Sequence, residues 1–218
     1  MNKAKAWLEN YWYHYKWMTI IVVSSLIALS VCLVQCTKKE DYDMYALYAG
    51  NVYIGGEQSS QLADAINDHM SADKQKVCIN SFVYVSEEVK KAYQEGDAYY
   101  NSGINLQQKS DFFDFLYTAG FNMLILDREL YSFIEKGEIL LPMSEVSNEA
   151  GAISEDGYCI KLYDTNLPEK YSIFASMPES TVLCFRKQVL MQDLASKNNA
   201  QSYKYQLSVF RKIILDGK

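Results

Sequence analysis

The sequence predicts an α/β protein, with an N-terminal transmembrane helix followed by a single three-layer lobe built on a mainly parallel sheet. Two observations carry this prediction. Trp17 to Cys36 is a run of 20 residues without a charge. From Tyr42 onward, short β-branched and aromatic runs alternate with segments of helical periodicity. The implied organisation is a cytoplasmic juxtamembrane segment over 1–16, a spanning helix over 17–36, a linker over 37–41 and an extracytoplasmic α/β domain over 42–218.

As a helix, the uncharged run is about 30 Å long, the hydrocarbon thickness of a bilayer. Ahead of it, WLENYWYHYKW holds six aromatics in eleven residues, Trp7 to Trp17. Trp and Tyr favour the headgroup level, so this stretch reads as an interfacial belt. Trp7, Leu8, Tyr11, Trp12 and Tyr15 share one helical face, which would continue the helix along the membrane surface. A cleaved signal has a shorter apolar region, of about 7–15 residues, and a small-residue cleavage site. A lipoprotein needs a small residue before its cysteine, whereas Gln35 precedes Cys36 and Val31 precedes Cys32. A permanent single-pass anchor fits better than either. Lys3, Lys5 and Lys16 before the span, against Lys38 and Lys39 after it, favour a cytoplasmic N-terminus and a C-terminal domain outside the cell membrane. Ser24, Ala28 and Cys32 form a small-residue stripe, which chance explains as readily as helix packing.

The chain has 218 residues, 49% hydrophobic and 22% charged, a globular composition. Of its 21 basic and 27 acidic residues, the first 36 positions hold three lysines and one acid, which leaves the rest with 18 basic and 26 acidic groups. An acidic body excludes a nucleic-acid partner, which requires a basic face.

DMYALYAG, ending at Gly50, suits a buried strand. A helix follows with Leu62, Ile66 and Met70 on one face. KVCINSFVYVS, residues 76–86, is a second strand, and Ser86 can cap a short helix through Tyr93. GINLQQKSDFFDFLYTAG supplies a further helix with Leu106, Phe112 or Phe113, and Leu116 inward, stopped by Gly120. FNMLILD, 121–127, is the clearest buried strand. Asp127 then caps RELYSFIEKG, whose Leu130, Phe133 and Ile134 point one way before Gly137. This alternation implies parallel strands joined by crossovers. Beyond Pro142 the periodicity weakens, and 144–157 reads as a loop. YCIKLYD and TVLCFRK read as strands, and QVLMQDLASK and YKYQLSVFRKIILDG as helices.

FNMLILDRELYSFIEKGEILLPMSEV resembles a stretch of bacterial extracytoplasmic solute-binding proteins of the type II periplasmic binding protein fold. There a strand ending in Asp leads into a helix, a Gly and a hydrophobic-Leu-Pro-hydrophobic motif. STVLCFRKQVLMQDLASK resembles the returning strand and helix of the same lobe. Those proteins bind ligand between two lobes. Here only about 40 residues separate the Pro142 region from the returning strand, so the resemblance implies one lobe without a clamshell.

His14 lies in the belt, and His69 reads as a solvated helix-end residue with no nucleophile-elbow pattern beside it. Cys78, Cys159 and Cys184 each fall in a strand at spacings that match no metal motif. They read as buried thiols, with one disulfide open on an oxidising side. YAGNVYIGGEQ is a strand-to-helix loop, the place where open α/β sheets bind ligands. It fits neither dinucleotide nor P-loop patterns. Gly50, Asn51, Gly55, Gly56 and Asp127 are the candidate ligand-binding residues, although turn geometry and helix capping also explain the glycines and Asp127. Asp111 and Asp114 read as solvated. No residues are expected to hold a metal or cofactor or to catalyse a reaction. The leading expectation is a non-catalytic, membrane-anchored extracytoplasmic domain acting on a protein or envelope partner. The alternative is a small-molecule binding or sensing module, and a hydrolase is a distant third.

Overall fold

The computed structural model describes residues 2–37, 42–71, 75–87, 89–91, 102–118, 120–188 and 197–216. It divides into two units, Met1–Asp41 and Tyr42–Lys218.

The first unit is one unbroken helix, α1 (Asn2–Thr37). Within it, Glu9–Cys32 is long and apolar enough to cross a membrane. Helix formation continues without interruption through the aromatic belt, where Trp7 stacks on Tyr11 at 5.8 Å and Tyr11 on Tyr15 at 5.3 Å. These stacks follow from the i, i+4 spacing of the three residues. The Leu8 and Cys36 side chains lie outside the described residues.

The second unit is α/β around a mixed five-stranded sheet of order β2-β1-β3-β5-β4. Its strands are β1 (Met44–Gly50), β2 (Val77–Val83), β3 (Met123–Leu126), β4 (Ile160–Lys161) and β5 (Val182–Phe185). β1 pairs in parallel with β2 and β3, whereas β5 runs against both β3 and β4. The parallel expectation holds only where a long helix carries the chain back between strands. Beyond Pro142 short turns replace such helices, and β5 returns in the opposite sense.

Each strand sends alternate side chains to opposite faces. Met44, Ala46 and Tyr48 of β1, with Met123, Ile125, Leu183 and Phe185, pack against α2 (Gly56–Asn67) and the C-terminal helix. Leu47, Ala49, Leu124, Leu126 and Val182 pack on the other face against α3 (Ser102–Thr118) and α4 (Arg128–Ser132). The C-terminal helix, α5 (Lys197–Leu215), buries Val209, Phe210, Ile213 and Ile214.

Several sequence expectations are corrected. Leu106 is 71% exposed, while Phe112 and Leu116 alone fill the inner stripe of α3 with Phe113 half-buried. Phe133 faces solvent beside Lys109, whose ammonium sits 3.3 Å from the ring centre, so the helix after Asp127 ends at Ser132. Gly137, expected to end that helix, instead lies inside a separate helical turn, Lys136–Ile139. The expected loop 144–157 contains helical turns at Met143–Val146 and Asn148–Ile153, the second capped by Ser147, whose hydroxyl accepts from the Ala150 amide at 3.0 Å. The YCIKLYD strand shortens to two residues and continues as a 3-10 turn, Leu162–Asp164. Most of QVLMQDLASK, and the end of the helix expected through Tyr93, lie outside the described residues.

Candidate functional site

β1 and β3 end side by side, and the Asp127 amide donates to the Ala49 carbonyl at 2.8 Å. This brings Gly50, Asn51 and Asp127 together at the C-terminal ends of two interior strands, with the loop to α2 beside them.

Tyr48 sets the shape of that strand end. Its ring is buried, and its hydroxyl accepts from the Val52 amide at 3.0 Å, which folds the loop back over the strand end. A Cβ on Gly50 would lie 2.6 Å from the Tyr48 hydroxyl oxygen, so glycine is needed here for space rather than for an unusual backbone angle. Burial pushes the Tyr48 phenol up to about 12, and the Asp127 charge adds to the shift.

The remaining polar groups largely satisfy one another. Asp127 is 4% exposed and caps α4, its carboxylate accepting from the Glu129 amide at 2.8 Å. Glu129 accepts from the Tyr84 hydroxyl at 2.6 Å and from the Glu87 amide at 2.7 Å. Burial and the Glu129 carboxylate hold the Tyr84 phenol well above its ordinary value. Asn105 of α3 reaches across to Val85, its oxygen accepting from the Val85 amide at 2.8 Å and its nitrogen donating to the Val85 carbonyl at 3.0 Å. In effect one side chain extends the pairing of β2 beyond its last residue.

Asn51 differs from its neighbours, because its side-chain oxygen is buried without a hydrogen-bond partner. Gly55 precedes α2 without a side-chain cap, and a Cβ there would meet the exposed Tyr53 ring at 2.7 Å. A Cβ on Gly56 would enter open space. Sequence reasoning located this loop and Asp127 but missed Tyr48, Tyr84, Asn105 and Glu129. The roles of Tyr84, Asn105 and Glu129 depend on partners from other elements, and that of Tyr48 on a loop that turns back onto its ring, none of which periodicity reveals.

Two further polar clusters lie elsewhere. His69 is 7% exposed, not solvated. Its Nδ1 donates to the Ala65 carbonyl at 2.8 Å, and its Nε2 lies 3.0 Å from an Asp216 oxygen that also takes Lys170 at 2.8 Å. Lys170 and His69 hold the Asp216 carboxyl below its ordinary value. Both ring nitrogens are thereby held by partners within the fold. In the second cluster, Asp156 accepts from the Tyr131 hydroxyl at 2.6 Å and from Lys136 at 2.7 Å. Arg128 pairs there with Glu155 at 2.9 Å. Among the described residues, no three metal-ligating side chains gather.

Comparison with protein-family models, curated proteins and solved structures finds no match.

Proposed function

We propose that the chain is a membrane-anchored, non-catalytic extracytoplasmic domain that acts by engaging a protein or envelope partner. In this reading α1 is a permanent anchor with a cytoplasmic N-terminus. The observation that carries the partner reading is β2, an outermost strand whose seven residues, Val77–Val83, include no charge and no proline. An outer strand of this kind offers a row of backbone donors and acceptors to an extended segment of another chain.

A photo-crosslinking residue at Asn80, introduced in the full chain in native membranes, tests the reading. A defined protein adduct at position 80, absent from a control site in α5, is the expected result. Lack of any adduct at β2, or reproducible turnover of a small substrate by the purified chain, would overturn it. The anchor has its own test. Leu29→Arg should hinder membrane insertion by about 2.5–3.5 kcal/mol on insertion scales. An intact mass that begins at Cys36 or later would contradict a retained helix.

A second reading is a solute-binding or sensing module of the kind the type II periplasmic resemblance implies. The unpartnered Asn51 oxygen in the β1–α2 loop favours it. A thermal-shift screen of sugars, amino acids and peptides separates the two readings, because a native-state ligand raises the melting temperature by mass action. Asn51→Ala should erase a genuine hit while leaving the unliganded melting temperature nearly unchanged.

A further inference from the structure

Cys184 lies in β5 and Cys159 immediately precedes β4, and the register of the two strands, continued by one residue, places them opposite each other. β4 and β5 pair Ile160 with Leu183 and Lys161 with Val182, so the same register continued one residue before β4 sets Cys159 against Cys184. The hydrogen-bond pattern fixes the type of that position. The Leu162 amide donates to the Thr181 carbonyl at 2.9 Å, which makes positions 162 and 160 hydrogen-bonded and positions 161 and 159 not. β3 gives the same answer from the other side. The Arg186 amide donates to the Asn122 carbonyl, so the backbone groups of Cys184, two residues back, turn toward β3 and away from β4. Non-hydrogen-bonded pairs bring Cα atoms to about 4.5 Å, inside the range that a disulfide spans.

The side chains agree with the register. Ile160 and Leu183 project to one face of the sheet, whereas Cys159, Val182 and Cys184 belong to the cluster on the other. Both thiols are fully buried and free. The Cys159 sulfur lies 3.5 Å from an Arg128 guanidinium nitrogen and 3.5 Å from an Asp156 oxygen. β4 has only two residues and forms an edge of the sheet, and it follows exposed residues Glu155, Asp156 and Gly157. A short edge strand is the element whose local opening would admit a reagent.

We infer that Cys159 and Cys184 are a dithiol site for a cross-strand disulfide that fastens edge strand β4 to β5. The oxidant is a small-molecule disulfide such as oxidised glutathione. When β4 opens, the Cys159 thiolate attacks the oxidant, forming a mixed disulfide and expelling one glutathione thiolate. Cys184 then attacks the Cys159 sulfur, the protein S–S bond forms, and the second glutathione leaves. The two protons given up by the protein thiols end on the two glutathiones, so the protein loses two electrons and the oxidant gains them. Burial pushes the Cys159 thiol up to about 11 and Cys184 well above its ordinary value, so the closed fold keeps the pair reduced between openings.

The test uses the full chain in detergent, unfolded in denaturant and refolded in a glutathione redox buffer so that burial does not block access. Thiol counting after alkylation, intact mass and peptide mapping read the result. The expected product has lost two of its five thiols and two hydrogens, and joins the Cys159 and Cys184 peptides. It should melt higher than the reduced chain. Cys159→Ser and Cys184→Ser should each abolish the crosslink, and Cys78→Ser should not. Five free thiols after refolding, stable glutathione adducts on either cysteine, a link to Cys78, or a crosslinked chain that melts lower would each overturn the assignment.

Discussion

The two edges of the sheet manage the same hazard in opposite ways. β4 is two residues long, carries Lys161, and follows a segment pinned by ion pairs at Glu155 and Asp156. It presents almost nothing to pair with. β2 is seven residues long, uncharged, and half-buried along its whole length between α2 and α3. Brevity and charge are ordinary defences of an edge strand. One edge has them and the other does not, and the proposed partner reading rests on that contrast.

The sharpest way to break this contrast is to loosen what supports β2. Phe112 of α3 is fully buried, and its ring lies 6.2 Å from that of Phe82 in an edge-to-face contact. Phe112→Ala leaves a cavity and should cost about 3–5 kcal/mol of unfolding free energy. Denaturant titration measures it, and hydrogen exchange should show β2 amides losing protection before those of β5. A loss spread evenly over the sheet would mean that β2 is not held separately.

Next comes the Asn105 clamp. Asn105→Ala removes both hydrogen bonds to Val85 and leaves its amide and carbonyl partly buried without partners. A cost of about 2 kcal/mol follows from the usual range for orphaned groups. Asn105→Asp keeps the acceptor but loses the donor, and should recover roughly half.

The β4 edge answers to acid instead. Burial alone would raise the Asp156 carboxyl, but hydrogen bonds from Lys136 and Tyr131 outweigh it and hold the group well below the usual carboxylate range. A carboxyl depressed on folding contributes stability that is complete above its unfolded value of 3.8 and is lost as pH falls through the folded value. Between about pH 5 and pH 2 the natural chain should therefore lose stability more steeply than Asp156→Asn. At neutral pH the variant should cost about 1 kcal/mol, discounted for the partial exposure of the site. Urea midpoints across that window provide the measurement, and parallel slopes for the two chains would contradict the assignment.

Legibility in the sequence followed locality. β1, α2, β3 and the Asp127 cap were readable because periodicity and capping depend on residues only a few positions apart. The candidate loop was readable for the same reason, as a glycine-containing turn between a strand and a helix. The sense of β5 was not, since pairing direction is decided by how the chain returns and no residue in TVLCFRK encodes it. The turns at 143–153 are too short for a helical period to declare itself. His69 looked solvated because its partner, Asp216, is 147 residues away. Tyr84 and Glu129 join the candidate site through a contact 45 residues apart in sequence, and Tyr48 through a loop that folds back onto it, so only the assembled fold reveals them.

The smallest effect on stability should separate the edges most cleanly. Asn80→Lys places a charge in the middle of β2, and Lys161→Ile removes the charge from β4. Asn80 is only half-buried, and its side-chain oxygen accepts from the Ser81 amide at 3.0 Å. Lys161 is exposed and reaches Glu155 at 3.6 Å, a pair of the kind that contributes little. Each substitution should change unfolding free energy by less than about 0.5 kcal/mol, the usual range for surface changes. Association should respond quite differently. A charge on an outermost strand disfavours pairing with another chain, so Asn80→Lys should abolish crosslinking from a photo-reactive residue moved to Val77 while leaving the melting temperature in place. Lys161→Ile should create no new adduct, because a two-residue strand offers too few backbone groups to hold a partner whatever its side chains. If Lys161→Ile did recruit a partner to β4, charge would be the guard at that edge, and strand length would lose its role in the contrast.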